Sequence, residues 1–122
     1  MEKYFIVFLG AGIGGGARYW VTNFVHKYLP AFFPYGTLLV NVIGSFILGI
    51  LIYGFGEKEM ISLNVKLFLG VGFCGGLTTF STFSFETLNL VKDAQFALAG
   101  LNVLLNVLVS FLGIYLAYLV TR

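Results

Sequence analysis

A chain of 122 residues that is 59% hydrophobic and only 10% charged has too little polar surface to cover itself in water, because soluble domains carry about 25% charged residues. Its solvent is lipid, and its length suits a single domain. A scattered net charge of +2 excludes nucleic-acid binding, and the lone Cys74 excludes an intramolecular disulfide scaffold.

About 20 mostly apolar residues carry a helix across the hydrocarbon core. Four stretches meet that length: Tyr4–Val25, Phe32–Gly54, Val65–Leu90 and Ala94–Val120. In the first, Met1-Glu2-Lys3 followed by an apolar run superficially resembles a signal peptide. The run from Tyr4 to Ala17 has no Ala-x-Ala-like cleavage site and continues through Arg18 into Tyr19-Trp20-Val21, so it reads as a retained helix. Gly12 and Gly16 form a G-x-x-x-G pair, which lets helices approach closely. Arg18 is the only basic residue well inside a span; two roles fit it, an anion-attracting vestibule or a snorkelling surface charge. His26, beside Lys27, reads as solvated.

In the second span Thr37, Asn41, Ser45 and Gly49 recur every four residues and share one helical face. Asn102, Asn106 and Ser110 do the same in the fourth. Such stripes serve either as interhelical hydrogen-bonding glue or as the wall of a wet path, and spacing does not choose between them. The third span is the unusual one. Its second G-x-x-x-G pair, Gly72 and Gly76, leads into five hydroxyl residues within seven positions, Thr78, Thr79, Ser81, Thr82 and Ser84. Glycine and hydroxyl side chains both weaken a continuous helix, so a break is expected near Gly75–Thr79, with an uninterrupted kink as the alternative. Broken backbone at membrane depth must be buried in protein or line a cavity, and such breaks bind ions. Phe80 and Phe83, three apart beside the break, have rings with a positive edge. Edges turned into a narrow path accept a small anion; otherwise the pair is packing. Cys74 reads as packing, and Glu86 lies near the end of the third helix in a structural role.

The loops are short: His26–Ala31, Phe55–Asn64 with Glu57, Lys58 and Glu59, and Val91–Asp93. With four spans both termini share a side. That side carries Lys3, Lys58, Lys66 and Arg122, against Lys27, Lys92 and a snorkelling Arg18 on the other. This near balance gives the positive-inside preference little to act on, leaving either insertion in both orientations or one weakly specified orientation. Four packed helices enclose no pore of their own, so transport favours an oligomer. No triad context, catalytic metal cluster or phosphate-binding glycine loop is present in the sequence, and an enzyme is not expected.

Three ordered segments carry a resemblance over essentially the whole chain: Gly14-Gly15-Gly16-Ala17-Arg18-Tyr19, then Gly36-Thr37-Leu38-Leu39-Val40-Asn41-Val42-Ile43-Gly44-Ser45-Phe46, then Gly72-Phe73-Cys74-Gly75-Gly76-Leu77-Thr78-Thr79-Phe80-Ser81-Thr82-Phe83. In these the chain resembles the CrcB/Fluc family of fluoride channels. The resemblance implies an all-α membrane protein of four transmembrane helices, the third broken, assembled as an antiparallel, dual-topology homodimer in the inner (plasma) membrane. It implies passive export of cytoplasmic fluoride. Phe80 and Phe83 match pore phenylalanines, Asn41 a pore asparagine, Thr79, Ser81 and Thr82 a hydroxyl track, and Ser110 a pore-side serine. Gly75 and Thr78 match positions whose carbonyls hold a structural, untransported Na⁺. Asn102 and Asn106 stand where the family has more aromatic or hydroxyl character; Asn106 and Arg18 are kept as candidates for the anion path. The alternatives are a small dual-topology multidrug exporter, which needs a membrane-embedded carboxylate, and a non-transporting assembly subunit.

Overall fold

The computed structural model describes residues 1–56 and 58–122; Glu57, in the second loop, lies outside the described residues. Helix α1 (Glu2–Tyr28) is followed by a loop bracketed by Pro30 and Pro34, and α2 starts at Tyr35 directly after the second proline. That start falls three residues later than the apolar pattern suggests, because proline fixes its own φ and restricts the residue before it. α2 (Tyr35–Gly56) continues past Gly49 into a π-helical stretch, Ile50–Gly56. Ser62 opens α3 (residues 63–77) by accepting the Val65 N–H at 3.3 Å, an ordinary serine cap. The middle of α3 is again π-helical, Leu67–Cys74, with the Gly75 N–H reaching back to the Gly70 carbonyl. After a break come α4 (Ser81–Lys92) and α5 (Phe96–Thr121).

Three helical stretches among the described residues are long and apolar enough to cross a membrane: Tyr35–Gly56, Leu63–Lys92 and Phe96–Thr121. The shortest has 22 residues, and at about 1.5 Å per residue it just exceeds a hydrocarbon thickness of about 30 Å. α1 has 27 residues, but Glu2, Lys3, Arg18 and its glycines dilute its apolarity. Phe8, Phe111 and most other large apolar side chains are exposed on the outside, the inverse of a water-soluble fold and the expected surface for lipid.

Glycine sets how closely α1 and α3 cross. A methyl group added at Gly10 would strike the Phe68 carbonyl, one at Gly14 the Phe73 carbonyl, and one at Gly76 the Ala11 carbonyl. At Gly72 it would lie 2.9 Å from the Gly10 Cα. The pair expected on the third span, Gly72 and Gly76, therefore does pack tightly. Its partner on α1 is Gly10 and Gly14, whereas a methyl at Gly12 or Gly16 would meet nothing within 4 Å.

The turn between α4 and α5 also departs from expectation. Ala94 is not a helix start: its φ is 59°, in the left-handed region. The Gln95 N–H donates to the Leu90 carbonyl at 2.8 Å and the Ala94 N–H to that of Val91 at 3.0 Å. This is the Schellman closure of α4, with alanine where glycine is usual. α5 then crosses α2, with Gly49 against Ala117 and Gly113 against the Val42 carbonyl.

Candidate functional site

The break in α3 is made by diverting backbone donors. Thr78 is extended, with φ −85° and ψ 159°. In a continuous helix the Thr79 N–H would reach the Gly75 carbonyl; here it donates to Asn41 Oδ1 at 2.8 Å. The Thr82 N–H, due to reach the Thr78 carbonyl, donates instead to Thr79 Oγ1 at 3.1 Å. The Gly76 carbonyl is taken by Arg18 Nε at 3.0 Å. Arg18 thus does something neither sequence role included: from α1 it caps one of the carbonyls a helix end leaves unpaired. The Gly75 and Thr78 carbonyls lose their helical donors and have none of these replacements. Gly75 is exposed, with open space around it.

A cleft of about 400 Å³ opens beside the break. Asn41 and Ser45 from α2, Asn106 and Ser110 from α5, and Phe80 and Phe83 from α4 and its entry line it, with Gly75, Thr78 and Thr79 forming the broken wall. The two phenyl rings meet edge to face, centroids 5.5 Å apart at 65°. Phe80 is 72% exposed. The Ser110 hydroxyl is buried and has no hydrogen-bond partner among the described residues. Beside the cleft, Ser110 therefore carries a hydroxyl donor that no described residue uses.

Asn41 is differently placed. One of its amide hydrogens goes to the Thr79 carbonyl at 3.2 Å and the other to Asn106 Oδ1 at 2.9 Å. Asn106 is held in turn by the Asn102 carbonyl at 2.9 Å and Asn102 Oδ1 at 3.0 Å. Asn102 Nδ2 donates to Thr87 Oγ1 at 2.9 Å, and the Thr87 hydroxyl to the Phe83 carbonyl at 2.8 Å. The asparagine stripes of the second and fourth spans thus meet across the helix interface.

The remaining candidates lie elsewhere. Arg18, Thr37, Thr82 and Glu86 line a second cavity of about 350 Å³, which shares Thr79 with the cleft. Ser81 is exposed, 3.3 Å from Thr79 Oγ1. Glu86 is not confined to a helix end: it also borders a third cavity of about 650 Å³ with His26, Asn89 and Asp93, and its buried Oε1 has no partner among the described residues. His26 is less solvated than its neighbour Lys27 suggests, since its Nε2 accepts the Gly36 N–H at 3.3 Å. The expected stripe on α2 is divided: Asn41 and Ser45 face the cleft, Thr37 faces the Arg18 cavity, and Gly49 packs on α5. Sequence reasoning assigned no role to Thr87. Its only signal was an α4 hydroxyl four residues after Phe83.

Such a chain, all-helical with several membrane-capable helices and a polar cleft at a helix break, is a multi-pass membrane protein. It belongs to the CrcB-like family: the model described as "CrcB-like protein, Camphor Resistance (CrcB)" matches residues 5–118. Three relatives are each called a fluoride-specific ion channel. One from Pyrococcus abyssi is 44% identical over 125 aligned positions, covering 100% of this chain and 98% of the relative. One from Magnetococcus marinus is 47% identical over 116, covering 95% and 94%. One from Methylocella silvestris is 40% identical over 119, covering 96% and 91%.

Proposed function

We propose that this chain is a fluoride-selective channel through which cytoplasmic fluoride leaves passively, and that it acts as an antiparallel homodimer in the plasma membrane with all four long helical segments, α1 included, spanning. Membership of a family whose relatives are named as channels makes it a transport protein rather than an enzyme. The observation that carries the reading is the cleft itself: the edge-to-face pair of Phe80 and Phe83 beside the buried Ser110 hydroxyl, which has no partner among the described residues.

Fluoride holds its water strongly, so a path must offer replacement donors that are each weak enough to release it. Ring edges and a hydroxyl meet that requirement without a fixed cation to trap the ion. Thr79, Ser81 and Thr82 extend the polar surface towards Arg18, which places positive charge near one approach. Phe80→Ile or Phe83→Ile keeps bulk but removes the positive edge, and is expected to lower fluoride efflux at least tenfold with the fold intact. Unchanged efflux in both variants would make the rings packing only.

A second copy is called for by the exposure of Phe80 and Gly75 and by the open glycines Gly12 and Gly16. Lys58 Nζ donates to the Thr121 carbonyl at 2.9 Å, which fits a second loop on the same side as the C-terminus and preserves the charge near-balance of dual topology. Lysines added to one set of loops should abolish efflux when expressed alone, and an oppositely biased copy should restore it. Efflux from one locked orientation alone would exclude the antiparallel arrangement.

The freed Gly75 and Thr78 carbonyls fit a structural Na⁺. Two from each copy would give four neutral oxygens, suited to a monovalent cation rather than Mg²⁺, which demands octahedral geometry and usually carboxylates. Bound there, the ion satisfies carbonyls otherwise stranded at membrane depth. Among the described residues no cluster of three His, Cys, Asp or Glu offers another metal site.

One observation favours the exporter: Glu86, with its unpaired buried oxygen, supplies an embedded carboxylate. Proton-coupled organic-cation transport that disappears in Glu86→Gln would establish that function and displace the channel.

A further inference from the structure

We propose that Asn102 and Asn106 are positioning residues: with Asn41 and Thr87 they form a one-way relay of hydrogen bonds that clamps the turn bearing Phe80 and Phe83. The pore role rests on the channel function proposed above. The relay starts at the Thr79 N–H, which donates to Asn41 Oδ1 at 2.8 Å. Asn41 Nδ2 donates to Asn106 Oδ1 at 2.9 Å, and Asn106 Nδ2 to Asn102 Oδ1 at 3.0 Å. Asn102 Nδ2 donates to Thr87 Oγ1 at 2.9 Å, and the Thr87 hydroxyl ends the relay on the Phe83 carbonyl at 2.8 Å. It leaves the backbone at residue 79 and returns at residue 83. Both phenylalanines lie between those two points.

The direction of the relay is fixed, not a choice of amide orientation. An amide side chain's oxygen and nitrogen are assigned from their partners, and here the partners include backbone groups of settled polarity. The Thr79 N–H can only donate, so Asn41 must turn its oxygen to it and its nitrogen to Asn106. The Asn102 carbonyl can only accept, and it takes the Asn106 Nδ2 at 2.9 Å. Asn106 therefore turns its oxygen to Asn41. Asn102 is fully buried and Asn106 is 6% exposed, where bonds in series reinforce one another and a lost member leaves an unpaired polar group.

The consequence for conduction is specific. Both Asn41 amide hydrogens are committed, to Thr79 and Asn106, so Asn41 acts on the permeating ion by holding the Thr79 amide out of its helix. The donor left for the ion is the Ser110 hydroxyl, which no other described residue claims. The two roles for Asn41 predict opposite signs for one substitution. Asn106→Leu breaks the relay and releases an Asn41 hydrogen into the cleft. If Asn41 is a positioning residue, fluoride efflux per folded protein falls by about tenfold or more, because the turn bearing Phe80 and Phe83 loosens and the permeation barrier rises. If Asn41 serves the anion directly, the freed hydrogen keeps efflux or raises it.

The experiment pairs liposome fluoride efflux with amide hydrogen exchange at Thr79 in the intact protein, for the wild type, Asn106→Leu, Asn102→Leu and Asn106→His. Histidine can accept on one ring nitrogen while donating from the other. The relay predicts faster Thr79 exchange and reduced efflux in both leucine variants, with partial recovery of both in Asn106→His. Unchanged Thr79 exchange in every folded leucine variant overturns the relay, as does efflux at or above the wild-type level in Asn106→Leu. If Asn106→Leu fails to fold, Asn102→Leu decides by the same two readouts, since it removes the link to Thr87 but leaves Asn41 its Asn106 partner. A wild-type chain that passes no fluoride overturns the channel function instead, and Thr79 exchange alone then decides the relay.

Discussion

Replacing Gly14 by alanine should loosen the α1–α3 crossing on which the break depends. The added methyl would collide with the Phe73 carbonyl, with Leu77 N at 2.9 Å and Phe73 C at 3.0 Å close behind. All three are backbone atoms, so no side chain can swing aside. Ordinary non-bonded carbon contacts lie at about 3.5–4.0 Å, and the helices would have to separate by roughly half an ångström or more. Overpacking of this kind costs about 1–3 kcal/mol, while removing glycine from a helix interior returns about 0.5–1 kcal/mol. The net expectation is a loss of about 1–2 kcal/mol. Gly100→Ala is the control, because a methyl there meets nothing within 4 Å, and it should be neutral or slightly stabilising. Chemical unfolding in detergent micelles reads both. A Gly14→Ala variant as stable as Gly100→Ala would refute the backbone-to-backbone crossing.

Arg18→Leu removes the donor to the Gly76 carbonyl and should cost about 1–3 kcal/mol; Arg18→Lys should recover only part, because a point ammonium does not reproduce the guanidinium's geometry. Unfolding midpoints equal to the wild type's in both would leave Arg18 a surface charge. Ala94→Gly relieves a left-handed alanine and should stabilise by about 0.5–1 kcal/mol in the same unfolding measurement; a loss would contradict the Schellman closure. Exchanging sodium for a large organic cation should lower dimer stability and slow efflux, since a ligand that binds only the folded assembly stabilises it. If prolonged exchange changes neither, the carbonyl site at Gly75 and Thr78 holds no ion.

The break was legible because glycines followed by hydroxyl residues weaken a continuous helix locally, although the partners that hold it open, Asn41 and Arg18, come from other helices. The polar stripes were legible as stripes, since a spacing of four fixes a shared face, but not as a connected relay. Spacing within one helix does not say that Asn106 meets Asn41, or that Thr87 sits beneath Asn102. The glycines of α1 show the same limit. Gly10 and Gly14 form one G-x-x-x-G register and Gly12 and Gly16 another, and only the position of α3 selects the first. The π-helical stretches Ile50–Gly56 and Leu67–Cys74 carry no periodic signal of their own. The bond from Arg18 to the Gly76 carbonyl was not legible, because the two lie 58 residues apart and the carbonyl is free to accept it only once the helix is broken.

The most direct test of the central claim is efflux from liposomes reconstituted with the purified full chain and loaded in parallel with fluoride, chloride or an organic cation. The account predicts rapid fluoride release down its gradient without any coupling gradient, and chloride and cation release at the rate of protein-free vesicles. Chloride leaving as fast as fluoride, cation release driven by a proton gradient, or no protein-dependent fluoride release would each contradict it.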